Sequence, residues 1–332
     1  MKEALYYQTL ENKKVKCCLC PRGCIIEEGQ TGFCRVRKNL GGRLYSLVYK
    51  KPCSLAIDPI EKKPLFHFEP GSQCLSIATV GCNFSCLFCQ NWEISQPKEI
   101  FWEKELKPEE VVEIAIEHRV KGISYTYTEP TIFFEFALDI MKEARKKGLY
   151  NVWVSNGYTS LEAIKEVSKY LDAINIDLKG PEEFYRKYCG NASLEPVLES
   201  LRMYKKLGVW VEVTMLIIPG LNDKEDWVEF AFEWISENLG KETPLHLSRF
   251  YPNFKMLDIP PTPVEKLIKL REKATGYLNH VYLGNVWDWK NESTFCPTCN
   301  SLLIKREGYI TEILSLECKN CGYKPKIIKH RH

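Results

Sequence analysis

The chain lacks the features that would tie it to a membrane or to nucleic acid. No apolar run approaches the roughly 20 residues that span a bilayer, and no secretory signal pattern is visible at its start. A formal net charge of +3 over 332 residues is too small to argue for a polyanionic partner. Basic residues crowd the last stretch (Lys324, Lys326, Lys329, His330, Arg331), but no aromatics are interleaved among them, so nucleic-acid binding is a poor fit. Glutamine is scarce against abundant Lys and Glu, which resembles a heat-adapted composition. Internal repeats and low-complexity tracts are absent. These absences lead us to expect a cytoplasmic globular protein without a membrane role.

What the chain has in excess is cysteine, fifteen in all. At this length a disulfide framework would be out of place, so the cysteines read as metal ligands in a reducing cytosol. They fall into three clusters and divide the chain. Residues 1–70 form a Cys-rich segment, 71–290 the main domain, and 291–332 a C-terminal module. Cys18 is a spare, and Cys53, Cys74 and Cys189 read as ordinary small buried residues.

The run Cys82-Asn83-Phe84-Ser85-Cys86-Leu87-Phe88-Cys89 carries the most chemistry. Thiolates are soft ligands for iron–sulfur clusters or zinc. Spacings of three and two residues let one short loop wrap a single cuboidal cluster. Such a cluster has four irons and this loop three sulfurs, so one iron is left for a non-protein ligand. A structural zinc knuckle is the alternative, but a closed zinc site wants a fourth ligand, and the loop offers none.

Cys296-Pro297-Thr298-Cys299 and Cys318-Lys319-Asn320-Cys321 form two C-x2-C knuckles. Four thiolates in that pattern predict a tetrahedral zinc ribbon, with rubredoxin-like iron as the alternative. The intervening 302–304 and 310–316 read as its short strands.

Between these sets, apolar strands alternate with helical periodicity. Strands are predicted over 75–80, 122–127, 151–155, 173–178, 209–218 and 244–250. Helices are predicted over 108–121, 131–147, 160–170, 195–207, 225–239 and 263–275. Capping signals predict three helix starts: Thr159 with Glu162, Asp223, and Thr262 followed by Pro263. Six β-α units mean a parallel sheet covered by helices. We expect an α/β fold, a partial (β/α)6 TIM-like barrel, with a doubly wound sheet as runner-up. Barrel chemistry sits at the C-terminal strand ends. There the sequence places Thr128-Glu129-Pro130, Ser155-Asn156-Gly157, Asp177-Leu178-Lys179, Pro219-Gly220 and, after the sixth strand, Arg249. The cysteine loop follows the first strand, on the same rim.

A C-x3-C-x2-C loop after the first strand of such a domain, with Phe88 before its third cysteine, resembles the radical S-adenosylmethionine (SAM) superfamily. Further motifs are Asp58-Pro59-Ile60-Glu61-Lys62-Lys63-Pro64-Leu65 with His67-Phe68, Tyr127-Thr128-Glu129-Pro130-Thr131, Ser155-Asn156-Gly157-Tyr158, Asp177-Leu178-Lys179 and Ile218 to Asp223. Over nearly the whole chain these look like the AmmeMemoRadiSam-system radical SAM enzymes, relatives of the glycyl-radical-enzyme activases.

The resemblance implies a [4Fe–4S] cluster on Cys82, Cys86 and Cys89 with SAM on the open iron. Reductive cleavage to methionine and a 5′-deoxyadenosyl radical would then abstract hydrogen from an unidentified substrate. It also implies roles for the rim residues. Glu129 would accept from the SAM amino group. Ser155 and Asn156 would contact its methionine or ribose part. Lys179 would pair with its carboxylate or with Asp177, and Phe88 would pack the adenine. His246 and Arg249 are candidates to reach substrate or SAM. Cys17, Cys20, Cys24 and Cys34 match a pattern of the same family, for which zinc and an auxiliary iron–sulfur cluster both fit. Implied partners are a low-potential donor of ferredoxin or flavodoxin type and, from the family's name, Memo-like and AMMECR-type proteins. The activases for pyruvate formate-lyase carry an acid where this chain has Val154, which sets it apart from them. The competing readings are a glycyl-radical-enzyme activase, an iron–sulfur electron carrier and an RNA-modifying zinc-ribbon protein.

Overall fold

A computed structural model describes residues 1–102 and 104–330, so Arg331 of the basic run lies outside the described residues. Its centre is one eight-stranded sheet. We number its strands β1 (Ser54–Pro59), β2 (Gln73–Ala78), β3 (Gly122–Tyr125), β4 (Tyr150–Ser155), β5 (Ala173–Asp177), β6 (Trp210–Ile217), β7 (Leu245–Arg249) and β8 (Val281–Gly284). They lie side by side in sequence order. The pairs from β2 to β8 are parallel, and β1 runs antiparallel to β2 at one edge. Between the parallel strands run α1 (Pro108–Glu117), α2 (Phe134–Lys146), α3 (Leu161–Val167), α4 (Glu195–Lys206), α5 (Glu225–Leu239) and α6 (Val264–Ala274). Each turns a buried apolar face to the sheet. This is the α/β arrangement expected, with one parallel strand more than six units supply.

The two extra strands escaped sequence reading for physical reasons. β1 is a partly buried edge strand that closes on Asp58-Pro59, and β8 has only four residues. β1 pairs into the central sheet although it lies N-terminal to residue 71. Helix starts also shifted. Ser160, not Thr159, caps α3 by accepting from Ala163 N. Lys224 precedes α5, while Asp223 accepts from Gly220 N. Pro263 is the residue before α6, because the buried Thr262 hydroxyl is committed to Ile217 O and Phe250 N.

Segment 60–68, the heart of the Asp58 motif, plugs the barrel below the strand ends. Glu212 on β6 accepts from Phe66 N (2.9 Å), His67 N (2.8 Å), Trp210 Nε1 (3.0 Å) and His246 Nε2 (2.7 Å). Asn175 on β5 donates to Pro64 O at 2.8 Å. Every one of these groups is buried or partly so, and each donor finds an acceptor, as buried polar groups require.

Before β1 the chain builds two small antiparallel sheets, Lys2–Glu3 with Arg43–Ser46 and Arg37–Leu40, and Tyr7–Thr9 with Val15–Cys17 and Ile25–Ile26. After β8, Thr294–Phe295, Leu302–Glu307 and Ile310–Ile313 form a third. This last sheet is stitched to the barrel. Arg306, fully buried, donates to Phe66 O at 2.6 Å and Thr294 Oγ1 at 2.8 Å. The following tail pairs Ile328 with Phe68 beneath the sheet. Among the described residues no helix is long and apolar enough to cross a membrane.

Candidate active site

A cavity of about 450 Å³ opens at the C-terminal ends of the parallel strands. Its walls include Cys82, Cys86 and Cys89 from the loop after β2, Glu129 after β3, Ser155 and Asn156 at the end of β4, and Asp177 and Lys179 at the end of β5. Phe88 lines it too. The residues singled out from these four motifs therefore share one space, while Pro219 and Gly220 are not among its lining residues.

The loop is held from several sides. Gly81, at φ +102, brings the backbone so close to the N-terminal segment that a Cβ would sit 2.8 Å from Cys34 O. Leu87 N donates to Tyr188 O at 3.0 Å. Cys82 Sγ accepts from Phe84 N at 3.3 Å. Asn156 Nδ2 binds Asn83 Oδ1 at 2.8 Å and reaches Cys82 Sγ at 3.9 Å. Burial pushes the Cys82 thiol well up, with the Glu129 charge adding to it. The Cys86 thiol is instead held down, chiefly by a hydrogen bond from Cys189 and further by Lys179. Cys189, expected to be an ordinary buried residue, sits against Cys86 but is not among the residues lining the cavity.

Glu129 is buried. Its Oε1 accepts from Thr131 N (3.0 Å), Thr131 Oγ1 (2.7 Å) and Ser155 Oγ (2.9 Å), while Oε2 accepts only from Asn156 N (2.8 Å). Burial raises its pKa although four donors oppose the rise. One oxygen is saturated and the other keeps acceptor capacity, which suits a carboxylate that must take one more donor. Lys179 Nζ binds Asp177 Oδ2 at 2.8 Å. Burial works against its charge, but Asp177 and the neighbouring thiols more than offset this and hold its pKa well above the usual lysine value.

Two candidates fall elsewhere. Arg249 is turned away from the cavity and donates to Thr262 O (2.8 Å) and Tyr251 Oη (2.9 Å). Alternation along β7 is the reason: Ser248 lines the cavity, so its neighbour faces the other side. His246 lies deeper, bonded to Glu212, and lines a second cavity of about 140 Å³.

That second cavity shares Lys62, Pro64, Thr214, Ser248, Asn285 and Tyr309 with the first, so the two adjoin. Its far side has Phe66, Glu61 and Glu292, and both carboxylates have a buried Oε2 without a hydrogen-bond partner among the described residues. Tyr309 comes from the turn between Leu302–Glu307 and Ile310–Ile313, so the C-terminal module helps wall the chamber.

No role was read from the sequence for Lys62, Lys63 and Tyr127, which line the first cavity around Asp58. Asp58 binds Lys62 and Lys63 at 2.7 Å each, Ser76 at 2.7 Å, and Tyr127 Oη. Burial alone would raise the pKa of Asp58, yet these four donors hold it far below the usual carboxylate range. The Asp58 motif was the signal, but without the fold nothing connected it to residue 127.

In the C-terminal module the sulfurs of Cys296, Cys299, Cys318 and Cys321 all lie within 4.8 Å of one another. Cys296 and Cys321 are 3.4 Å apart, and Cys299 and Cys318 3.3 Å. Tetrahedral Zn–S bonds of about 2.3 Å separate two sulfurs by roughly 3.8 Å, so the set fits a single ion.

The Radical SAM superfamily model matches residues 76–231, the stretch that carries the cysteine loop and most of the cavity wall. A probable GTP 3′,8-cyclase of Thermococcus kodakarensis is 32% identical over 69% of this chain and 80% of its own. The chain belongs to the radical SAM superfamily. An uncharacterized protein of Methanocaldococcus jannaschii is 51% identical over 99% of this radical SAM chain and 100% of its own length. A putative glycyl-radical enzyme activating enzyme of the same organism is 24% identical over 63% of this chain and 80% of its own. The protein is thus an enzyme with relatives among the activating enzymes, and the superfamily implies a [4Fe–4S] cluster and SAM. A separate model, that of the RNA polymerases M/15 Kd subunit, matches residues 294–326, in line with a metal-binding ribbon.

Proposed function

We propose that Cys82, Cys86 and Cys89 hold the [4Fe–4S] cluster, and that Glu129, Ser155, Asn156, Asp177 and Lys179 hold SAM against it. The observation that carries this is the convergence of three thiols and three polar strand ends on one cavity. When bound, the pair supplies reductive cleavage of the sulfonium and a 5′-deoxyadenosyl radical. The chain's own residues orient and protect that chemistry. Glu129 Oε2 has room for the SAM ammonium, a charge-assisted contact, and Ser155 and Asn156 fix the carboxylate from behind. Lys179, aligned by Asp177, offers a cation to the SAM carboxylate. Phe88, packed on Phe184, presents an apolar wall to the adenine. The adjoining second cavity takes the substrate.

The C-terminal knuckles hold one metal ion, as the spacing of their sulfurs supports, and the ribbon match favours zinc over rubredoxin-like iron. The enzyme works in the cytoplasm with a low-potential donor of ferredoxin or flavodoxin type. Assignment to the AmmeMemoRadiSam system, with Memo-like and AMMECR-type partners, rests on the motif resemblance alone. Likeness to an activating enzyme favours a glycyl-radical protein as the second reading of the substrate.

Anaerobic reconstitution followed by dithionite and SAM is the test. We expect 5′-deoxyadenosine by mass spectrometry, lost in a Cys82→Ala, Cys86→Ala, Cys89→Ala triple variant. Formation by that variant at the wild-type rate would end the assignment.

A further inference from the structure

We propose that the second cavity is a subsite for a cationic group of the substrate, an alkylammonium held by Glu61 and Glu292. This deepens the function proposed above and rests on it for the fate of the bound molecule, though not for the binding itself.

The Glu61 side chain is 1% exposed. Its Oε1 accepts from Gly71 N and from Thr311 Oγ1, both at 2.7 Å, while its Oε2 has no partner among the described residues. With Oε1 tied to the chain, Oε2 is the oxygen left for the chamber. Glu292 repeats the arrangement: Gly308 N donates to its carboxyl, and its buried Oε2 is likewise unpartnered. Both residues line the same cavity of about 140 Å³. Buried acceptors are nearly always paired, so two free carboxylate oxygens on one chamber call for a donor from outside the chain.

The lining has spent its own donors. Lys62 Nζ is bound to Asp58 Oδ1 at 2.7 Å and His246 Nε2 to Glu212 Oε2 at 2.7 Å. Thr214 Oγ1 donates to Asn175 Oδ1 at 2.9 Å, and Asn285 Nδ2 to Ser248 Oγ at 3.1 Å. Arg306 approaches from behind, but its Nε stands 3.9 Å from Glu61 Oε1, beyond hydrogen-bond range. Its terminal nitrogens serve Phe66 O, Thr294 Oγ1 and Glu292 O. One guanidinium against two carboxylates leaves the chamber a negative surplus.

Size and surface choose the kind of cation. Calcium wants about six or more oxygens, whereas this chamber sets its two carboxylates among Leu283, Val286 and Trp287. A cavity of about 150 Å³ admits a molecule the size of benzene, so an ammonium on roughly four or five carbons fits here. Trp287, 85% exposed, and Tyr309 lie on the same wall, and aromatic faces attract a cation. Thr214 and Ser248 line both cavities, so the alkyl chain has a path towards the proposed SAM site.

Saturation-transfer NMR on the full chain tests the site with n-butylammonium and its neutral counterpart n-butanol. The buffer is set about one pH unit above the value of about 7 to which burial pushes Glu292, so that its carboxyl is ionised. We expect the ammonium to bind about tenfold more tightly than the alcohol. A Glu61→Gln, Glu292→Gln variant should lose that preference. Glutamine keeps an oxygen for the Gly71, Thr311 and Gly308 donors and puts an NH2 where the free oxygen stood; thermal melting checks that the fold is kept. Equal binding of the two probes by the wild type, or a preference undiminished in the folded variant, would overturn the subsite. Should the double variant not fold, Glu292→Gln alone must weaken the preference, and its failure to do so would overturn the subsite equally. A short peptide carrying one lysine is the third probe. Tighter binding than butylammonium supports the subsite with a protein side chain as its guest, and weaker binding supports it with a small amine. None of these readings needs the cluster, so the Cys82→Ala, Cys86→Ala, Cys89→Ala variant should keep the preference while forming no 5′-deoxyadenosine. Wild-type protein that prefers the ammonium but forms no 5′-deoxyadenosine would end the function proposed above and leave the subsite standing. The reverse pair of results would end the subsite alone.

Discussion

Glu129 shows how a single side chain can be built as both scaffold and ligand. Four donors fix its carboxylate, and only Oε2 keeps capacity for another. Glu129→Gln keeps the shape and removes the charge. We expect SAM to bind about tenfold more weakly, a loss of about 1.4 kcal/mol, with the iron content of the reconstituted protein unchanged. Equilibrium dialysis with labelled SAM beside an iron assay reads both. Glu292 makes the opposite case. Burial, with Asp288 adding repulsion and a hydrogen bond from Gly308 opposing, pushes its pKa up to about 7. Its unfolded value lies near 4.3, so between those values the folded state binds more protons than the unfolded one. Stability therefore falls as pH rises from about 4.5 to 7. Because the residue is only half buried, we expect about 1–2 kcal/mol from it rather than the full shift. Glu292→Gln should flatten that part of a urea-denaturation pH series.

At the scale of elements, the sequence made the α-β alternation and the cysteine loop plain, because periodicity and spacing are local signals. The site residues that local signals could reach were those next to strand ends: Glu129, Ser155, Asn156, Asp177 and Lys179 all line the cavity. Arg249 misled because its side depends on the register of one strand, which a list of motifs does not give. The barrel floor was illegible for a different reason. Glu212 is one acid in an apolar strand, and its partners at 66, 67, 210 and 246 meet only after folding. Glu212→Ala would strand four buried donors. We expect a loss of about 3–5 kcal/mol, visible as a lower urea midpoint with an unchanged slope.

For the whole molecule, the three cysteine groups divide the labour of one machine. The N-terminal sheets brace the loop, the barrel shapes the cavity, and the C-terminal module closes the second chamber through Tyr309. Stripping the module of its ion should therefore affect substrate before it affects SAM. In a Cys299→Ala, Cys321→Ala variant we expect zinc to fall from about one per chain to none. 5′-Deoxyadenosine formed without substrate should stay within about twofold of wild type, while product release from a cognate substrate is lost. Metal analysis and the mass-spectrometric assay check both halves.

The Tyr309 turn reaches both cavities from a hairpin that carries none of the proposed cluster or SAM ligands. The proposed ligands of the radical chemistry and this tip thus lie in separate stretches of chain. Grafting the hairpin of a homologue should retune what is accepted while leaving the ignition chemistry untouched, which makes this short tip the natural place to engineer new specificity.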